Sequence, residues 1–151
     1  MMNIKTKFPP PLVALTFGFL INYTKNIFPK IEIKNENFFG SIMIISGFII
    51  ILSAIILFKK YKTTITPLNP SNATKLITGG IYKFSRNPMY LGLLLVLFGF
   101  SIILNPIGGL FLIPLFILYL NLFQIIPEEN AMVDLFKDEF LEYKENVRRW
   151  I

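Results

Sequence analysis

Apolar and polar positions along this chain do not alternate with a short period; they separate into blocks. Four apolar blocks stand out, at about residues 8–23, 39–58, 89–104 and 110–126, and the charged residues gather between and after them. A helix on the surface of a soluble domain shows one apolar stripe, whereas a helix that is apolar all round lies in a large core or in lipid. A chain of 151 residues has too little polar surface to enclose four such helices in water. The pattern predicts an all-α integral membrane protein with about four transmembrane helices, forming a single domain over residues 1–151.

Each block carries its own signals. The first opens with Pro9, Pro10 and Pro11, and a helix tolerates proline in its first turn because the missing N–H would go unused there. Lys5 and Lys7 precede it as in a signal peptide, but no small-residue cleavage site follows in INYTKN, so a retained helix is expected. At about 1.5 Å per residue it barely crosses a hydrocarbon core of about 30 Å. In the second block Gly40, Gly47 and Ala54 recur every seven residues, a stripe of small side chains that lets helices approach closely. Gly92 and Gly99 repeat that spacing in the third. NPIGG at 105–109 then predicts a tight turn, so that the third and fourth spans form a helical hairpin. Beyond them, residues 128–151 place Met132, Phe136, Phe140, Tyr143 and Val147 at intervals of three or four. That spacing predicts an amphipathic helix, or two short ones, at the membrane surface, with Arg148, Arg149 and Trp150 in the headgroup zone.

Charge orients these elements. Residues 59–88 carry Lys59, Lys60, Lys62, Lys75, Lys83 and Arg86 with no acid, so the loop is expected on the cytosolic side. Four crossings then put both termini there, with twelve of the fifteen Lys and Arg residues. The triplets Asn22-Tyr23-Thr24 and Asn72-Ala73-Thr74 are read as accidental matches to a glycosylation signal. The net charge of +6 is explained by topology and anionic headgroups, and no nucleic-acid partner is expected. The absence of cysteine and histidine excludes disulfides, thiolate nucleophiles and a Ser-His-Asp triad, and no metal site is expected. Acid-base chemistry would fall to Glu, Asp, Lys or Tyr.

The loop itself, residues 59–88, is about thirty residues long and has enough apolar side chains, among them Leu76, Ile77, Ile81, Tyr82 and Phe84, to be structured. Gly79 and Gly80 permit backbone conformations closed to other residues. Asn87 and Pro88 suit the N-cap and first position of the third helix, the simplest reading of RNP. Glu128 and Glu129, after Pro127, equally suit the first turn of the following helix. The hairpin, however, brings these two stretches to one face. Tyr82, Arg86, Asn87, Tyr90, Gln124 and Glu128 can then wall one polar pocket at the membrane boundary, where such clusters are functional candidates.

In order, the motif Thr78, Gly80, Tyr82, Arg86, Asn87, Pro88, Tyr90 and Gly92, then the hairpin, then Glu128, Glu129, Phe136, Glu139, Phe140 and Tyr143, resembles the isoprenylcysteine carboxyl methyltransferase and phospholipid methyltransferase superfamily. The similarity covers residues 59–151, and PPPLVAL near the start looks like short bacterial members. The resemblance implies a prokaryotic cytoplasmic-membrane protein that transfers a methyl group from S-adenosylmethionine to a lipophilic or lipidated acceptor at the cytosolic face. By the same resemblance, Lys75, Leu76, Ile77, Tyr82, Asn87, Pro88, Met89, Tyr90 and Glu128 would contact the cofactor. Arg86, Gln124 and Glu128 are the candidate catalytic residues. Two positions depart from the pattern: Asn87 stands where histidine is common, and Gln124 where the eukaryotic carboxyl methyltransferases place an arginine four residues before the glutamate. Carboxyl O-methylation is the favoured chemistry, with N-methylation of an aminolipid as the alternative. A reading from another class, a small membrane scaffold without catalysis, is to be distinguished by cofactor binding.

Overall fold

A computed structural model describes residues 8–62 and 74–151; Lys5, Lys7 and Asn72 of the sequence reading lie outside them. Every regular element among the described residues is helical: α1 (Pro10–Tyr23), α2 (Glu36–Tyr61), α3 (Pro88–Leu104), α4 (Pro106–Leu120) and α5 (Ile126–Asn146). Short 3₁₀ turns at Thr24–Asn26 and Gly80–Lys83 and a π-helical turn at Asn121–Ile125 complete the order.

Among the described residues, two helical runs are long and apolar enough to cross a membrane, Glu36–Tyr61 and Pro106–Asn146. The surface of the bundle agrees with this. Along α2 only Gly40, Gly47 and Ala54 are buried, while Ile45, Phe48, Ile49, Leu52 and Ile56 point outward. Leu15 and Phe19 on α1 and Leu110 and Phe111 on α4 are likewise exposed. A soluble monomer rarely shows apolar patches of more than a few hundred Å², so these faces belong against lipid. By contrast α1 and α3 are only 14 and 17 residues long, rising about 21 and 26 Å.

The seven-residue stripes are the seam between α2 and α3. A Cβ at Gly47 would sit 2.6 Å from the Gly92 carbonyl oxygen, and one at Gly99 would sit 2.5 Å from the Gly40 oxygen. Two glycine pairs, seven residues apart on each antiparallel helix, therefore let the backbones touch. On the other side of α3, Leu94 and Leu97 join Ala14 and Ile21 of α1 and Ile113, Phe116 and Leu120 of α4 in one apolar core.

The turn between α3 and α4 is tighter than the sequence reading. Asn105 alone links the helices, its side chain accepting from the Gly108 amide at 3.0 Å, with Pro106 at the first helical position. Ile107, Gly108 and Gly109 thus belong to α4, where the absence of a side chain admits Thr24 against Gly108 and Ser101 against Gly109. The C-terminal segment takes the second of its two expected forms, a pair of short helices. At Lys137 the backbone leaves helical geometry (φ 46°, ψ −120°), dividing α5 in two. Its apolar stripe turns inward, with Phe140 and Tyr143 buried against Ile77, Tyr82 and Ala54, and Met132, Phe136 and Val147 packed around them. Protein surface offered by the loop, rather than lipid, covers that stripe.

Candidate functional site

The loop before α3 is shaped by Gly80, whose φ of +61° is closed to other residues at low cost. The 3₁₀ turn that follows buries Tyr82, whose ring meets Phe58 edge-on at 5.8 Å. Its carbonyl accepts from the Tyr143 hydroxyl at 2.6 Å. Burial, with the nearby Tyr143 and Glu128, pushes the Tyr82 phenol well above the usual tyrosine range, so it stays neutral and is no candidate base.

Next along the chain, Ser85, Arg86 and Asn87 lie against the C-terminal residues. The Arg86 amide donates to the Arg148 carbonyl at 3.0 Å. Its guanidinium donates to the carbonyls of Lys144 at 2.9 Å and Val147 at 2.5 Å, and to Glu129 Oε1 at 2.8 Å. Arg149 binds the same carboxylate from the other side, at 3.1 and 2.7 Å, and this raises its own affinity for the proton. Asn87 Nδ2 and Ser85 Oγ donate to the Arg149 carbonyl at 2.9 and 3.4 Å. Asn87 is the N-cap residue of α3, as its sequence position suggests, but its side chain makes no capping bond; the Arg149 carbonyl takes its amide instead. Arg148 and Arg149 were expected among headgroups, and Arg149 is instead the second arm of a clamp on Glu129, while Trp150 packs on the core of α1, α3 and α4.

Behind this clamp lies a cavity of about 310 Å³. All the expected cofactor residues except Pro88 line it, together with Arg86. Pro88 is buried at the first position of α3. The hydroxyl of Tyr90 donates to Glu128 Oε1, tying the start of α3 to the start of α5, as a hairpin of α3 and α4 requires. Gln124 does not line the cavity. In an unbroken α-helix residues four apart share a face, which would set Gln124 beside Glu128. The π turn at Asn121–Ile125 carries one extra residue per turn and rotates Gln124 away, so that its Nε2 donates to the Phe8 carbonyl at 2.9 Å.

The sequence reading missed Pro10 and Pro11 of α1, Ile51, Ile55 and Phe58 of α2, Leu93 of α3, and Met132, Phe140 and Tyr143 of α5, all of which line the cavity. The stripe of α5 was a usable signal for Phe140 and Tyr143. For Pro10 and Pro11 the resemblance of PPPLVAL to short family members gave no role, because their neighbours in space are far along the chain.

A helical bundle with a lipid-facing apolar surface and, at one end of its hairpin, a mostly apolar cavity with a few polar side chains defines a small membrane protein with a candidate site. The phospholipid methyltransferase family pattern matches residues 36–139, and the chain belongs to that family. Among relatives, an uncharacterized protein of Haemophilus influenzae is 45% identical over 64 residues, 42% of this chain and 100% of the relative. Protein-S-isoprenylcysteine O-methyltransferase A of Arabidopsis thaliana is 35% identical over 112 residues, 72% of this chain and 55% of the relative. A probable protein-S-isoprenylcysteine O-methyltransferase of Oryza sativa subsp. indica is 28% identical over 140 residues, 90% of this chain and 72% of the relative. The chain thus spans about half the length of the Arabidopsis protein. No solved structure matches it.

Proposed function

We propose that this chain is a single-domain, four-span membrane methyltransferase that uses S-adenosylmethionine to methylate a lipophilic acceptor. Both termini and the cavity face the cytosol, and carboxyl O-methylation of the isoprenylcysteine kind is the favoured reaction. The observation that carries this reading is the cavity itself, which joins a polar end (Tyr82, Asn87, Tyr90, Glu128) to an apolar one (Ile51, Ile55, Leu93). Family membership and the plant relatives' names support it.

The wall fits a cationic methyl donor. Among its described residues, the two cations are already engaged, Lys75 over the Tyr61 ring at 4.8 Å and Arg86 on Glu129. The faces of Tyr82 and Tyr90 are left to attract a sulfonium, and the Glu128 carboxyl can hold an amine or ribose hydroxyls. S-adenosylmethionine supplies an electrophilic methyl group and leaves as a neutral thioether, so a carboxylate acceptor becomes an ester with no proton to move. The chain's own work is then alignment and the exclusion of water, in keeping with a cavity that has no histidine and a neutral Tyr82. An amine acceptor would have to give up a proton, and the lining carboxyl available for that, Glu128, is hydrogen-bonded to Tyr90.

Calorimetry of S-adenosylhomocysteine with the detergent-purified chain tests this reading. The expected result is binding that weakens at least about tenfold, or about 1.4 kcal/mol, in Glu128→Ala. Equal affinity in the variant would remove Glu128 from the site. No binding by a folded protein would leave the scaffold reading in its place.

A further inference from the structure

The amino end of α1 forms part of the cavity wall. Pro10 is almost wholly buried there, and Pro11 lies beside it on the lining. Ile51 and Ile55 of α2 line the same cavity. The outer faces of the same two helices expose Leu12, Leu15, Leu52 and Ile56, so a hydrocarbon chain leaving the cavity between them would pass from apolar wall to lipid.

What holds this wall is Gln124. The side chain is completely buried among apolar neighbours, with Leu120 and Ile125 equally inaccessible. Its Oε1 has no hydrogen-bond partner among the described residues. A buried acceptor left unpaired is costly, so a residue serving only to pack would be better apolar. The one bond Gln124 makes, to the Phe8 carbonyl at 2.9 Å, falls just before the Pro9–Pro10–Pro11 run. Prolines have no N–H with which to anchor themselves, and the first amide donors after them, of Leu12 and Val13, go to the Pro9 carbonyl. Beyond the packing of buried Pro10, a donor from outside the segment is what can tether its backbone.

Resting on the methyl-transfer reading above, we infer that Gln124 is a positioning residue that seats the Pro9–Pro11 turn as the acceptor-side wall. The hydrocarbon chain of the acceptor lies between that turn and Ile51 and Ile55.

The chain has no cysteine, so Pro11→Cys introduces a single reactive thiol. Its maleimide labelling rate is measured in micelles with and without N-acetyl-S-farnesylcysteine or phosphatidylethanolamine, and S-adenosylhomocysteine binding is measured alongside. One of the two lipids should slow labelling at least about fivefold. That protection should fall below about twofold when Gln124 is changed to Met, which keeps the length and loses the donor, with S-adenosylhomocysteine affinity unchanged. Gln124→Glu, which keeps the shape but puts an acceptor against the Phe8 carbonyl, should lose protection as well. Labelling indifferent to both lipids while S-adenosylhomocysteine still binds would overturn the acceptor wall alone. Full protection in either Gln124 variant would overturn the role of Gln124. Absence of S-adenosylhomocysteine binding in the parent protein would remove the methyl-transfer reading and this inference with it.

Discussion

Replacing Gly47 by alanine adds one methyl group at one of the two close glycine contacts of α2 and α3. The new Cβ would lie 2.6 Å from the Gly92 carbonyl oxygen, 2.8 Å from Val96 Cγ2 and 3.1 Å from the Val96 amide nitrogen, where ordinary contact begins near 3.4 Å. Two of those three opponents are backbone atoms that cannot rotate aside, so the helices must part locally. Overpacking of this kind costs about 1–3 kcal/mol, and the rigid backbone favours the upper half, about 2–3 kcal/mol. Gly18→Ala on α1 provides the opposite case. Its Cβ would meet only Leu97 Cδ2 at 3.7 Å, so the gain in helix propensity, about 0.5–1 kcal/mol, should appear unopposed. The assay is unfolding in mixed micelles, followed by the fluorescence of Trp150, the chain's only tryptophan, which packs on the α1, α3 and α4 core. Two identical substitutions should therefore move stability in opposite directions. If Gly47→Ala proved neutral or stabilising, the close contact between α2 and α3 would be wrong.

Other expected outcomes concern the clamp, the site and the topology. Glu129→Ala strands two guanidiniums, Arg86 being nearly inaccessible, and should cost about 3 kcal/mol; Arg149→Ala removes a one-third exposed partner and should cost about 1 kcal/mol or less. Equal losses in the same unfolding assay would contradict that ordering. Tyr90→Ala should weaken S-adenosylhomocysteine binding while circular dichroism reports unchanged helix content, and a collapse of helicity would instead make Tyr90 a folding residue. A cysteine placed at Lys75 should label only from the cytosolic side of sealed vesicles; labelling from outside would invert the proposed orientation.

How far the sequence reached depended on the range of each interaction. The stripes Gly40–Gly47 and Gly92–Gly99 were readable because seven residues are nearly two helical turns, a property of each helix alone. Tyr82, Tyr90 and Glu128 were brought together by a hairpin that Asn105 and Pro106 announce. Gln124 was misplaced because nothing in NLFQI marks a π turn, and the single extra residue there rotates the helix before it against Glu128. Arg149 looked like a headgroup ligand since its charge was visible and its partner Glu129, twenty positions earlier, was not. Pro10 and Pro11 read as a helix start, which they are; their second role arises only when α1 docks on α3 and α4.

Four of the hydrogen bonds that hold Ser85, Arg86 and Asn87 are made to carbonyls 58 to 64 positions later in the chain. During synthesis, the helices that form most of the cavity therefore exist before the residues that fasten its rim. Until residues 144–149 have been made and have folded back, the Arg86 guanidinium has Glu129 but lacks the carbonyls of Lys144 and Val147, and Ser85 and Asn87 lack the Arg149 carbonyl.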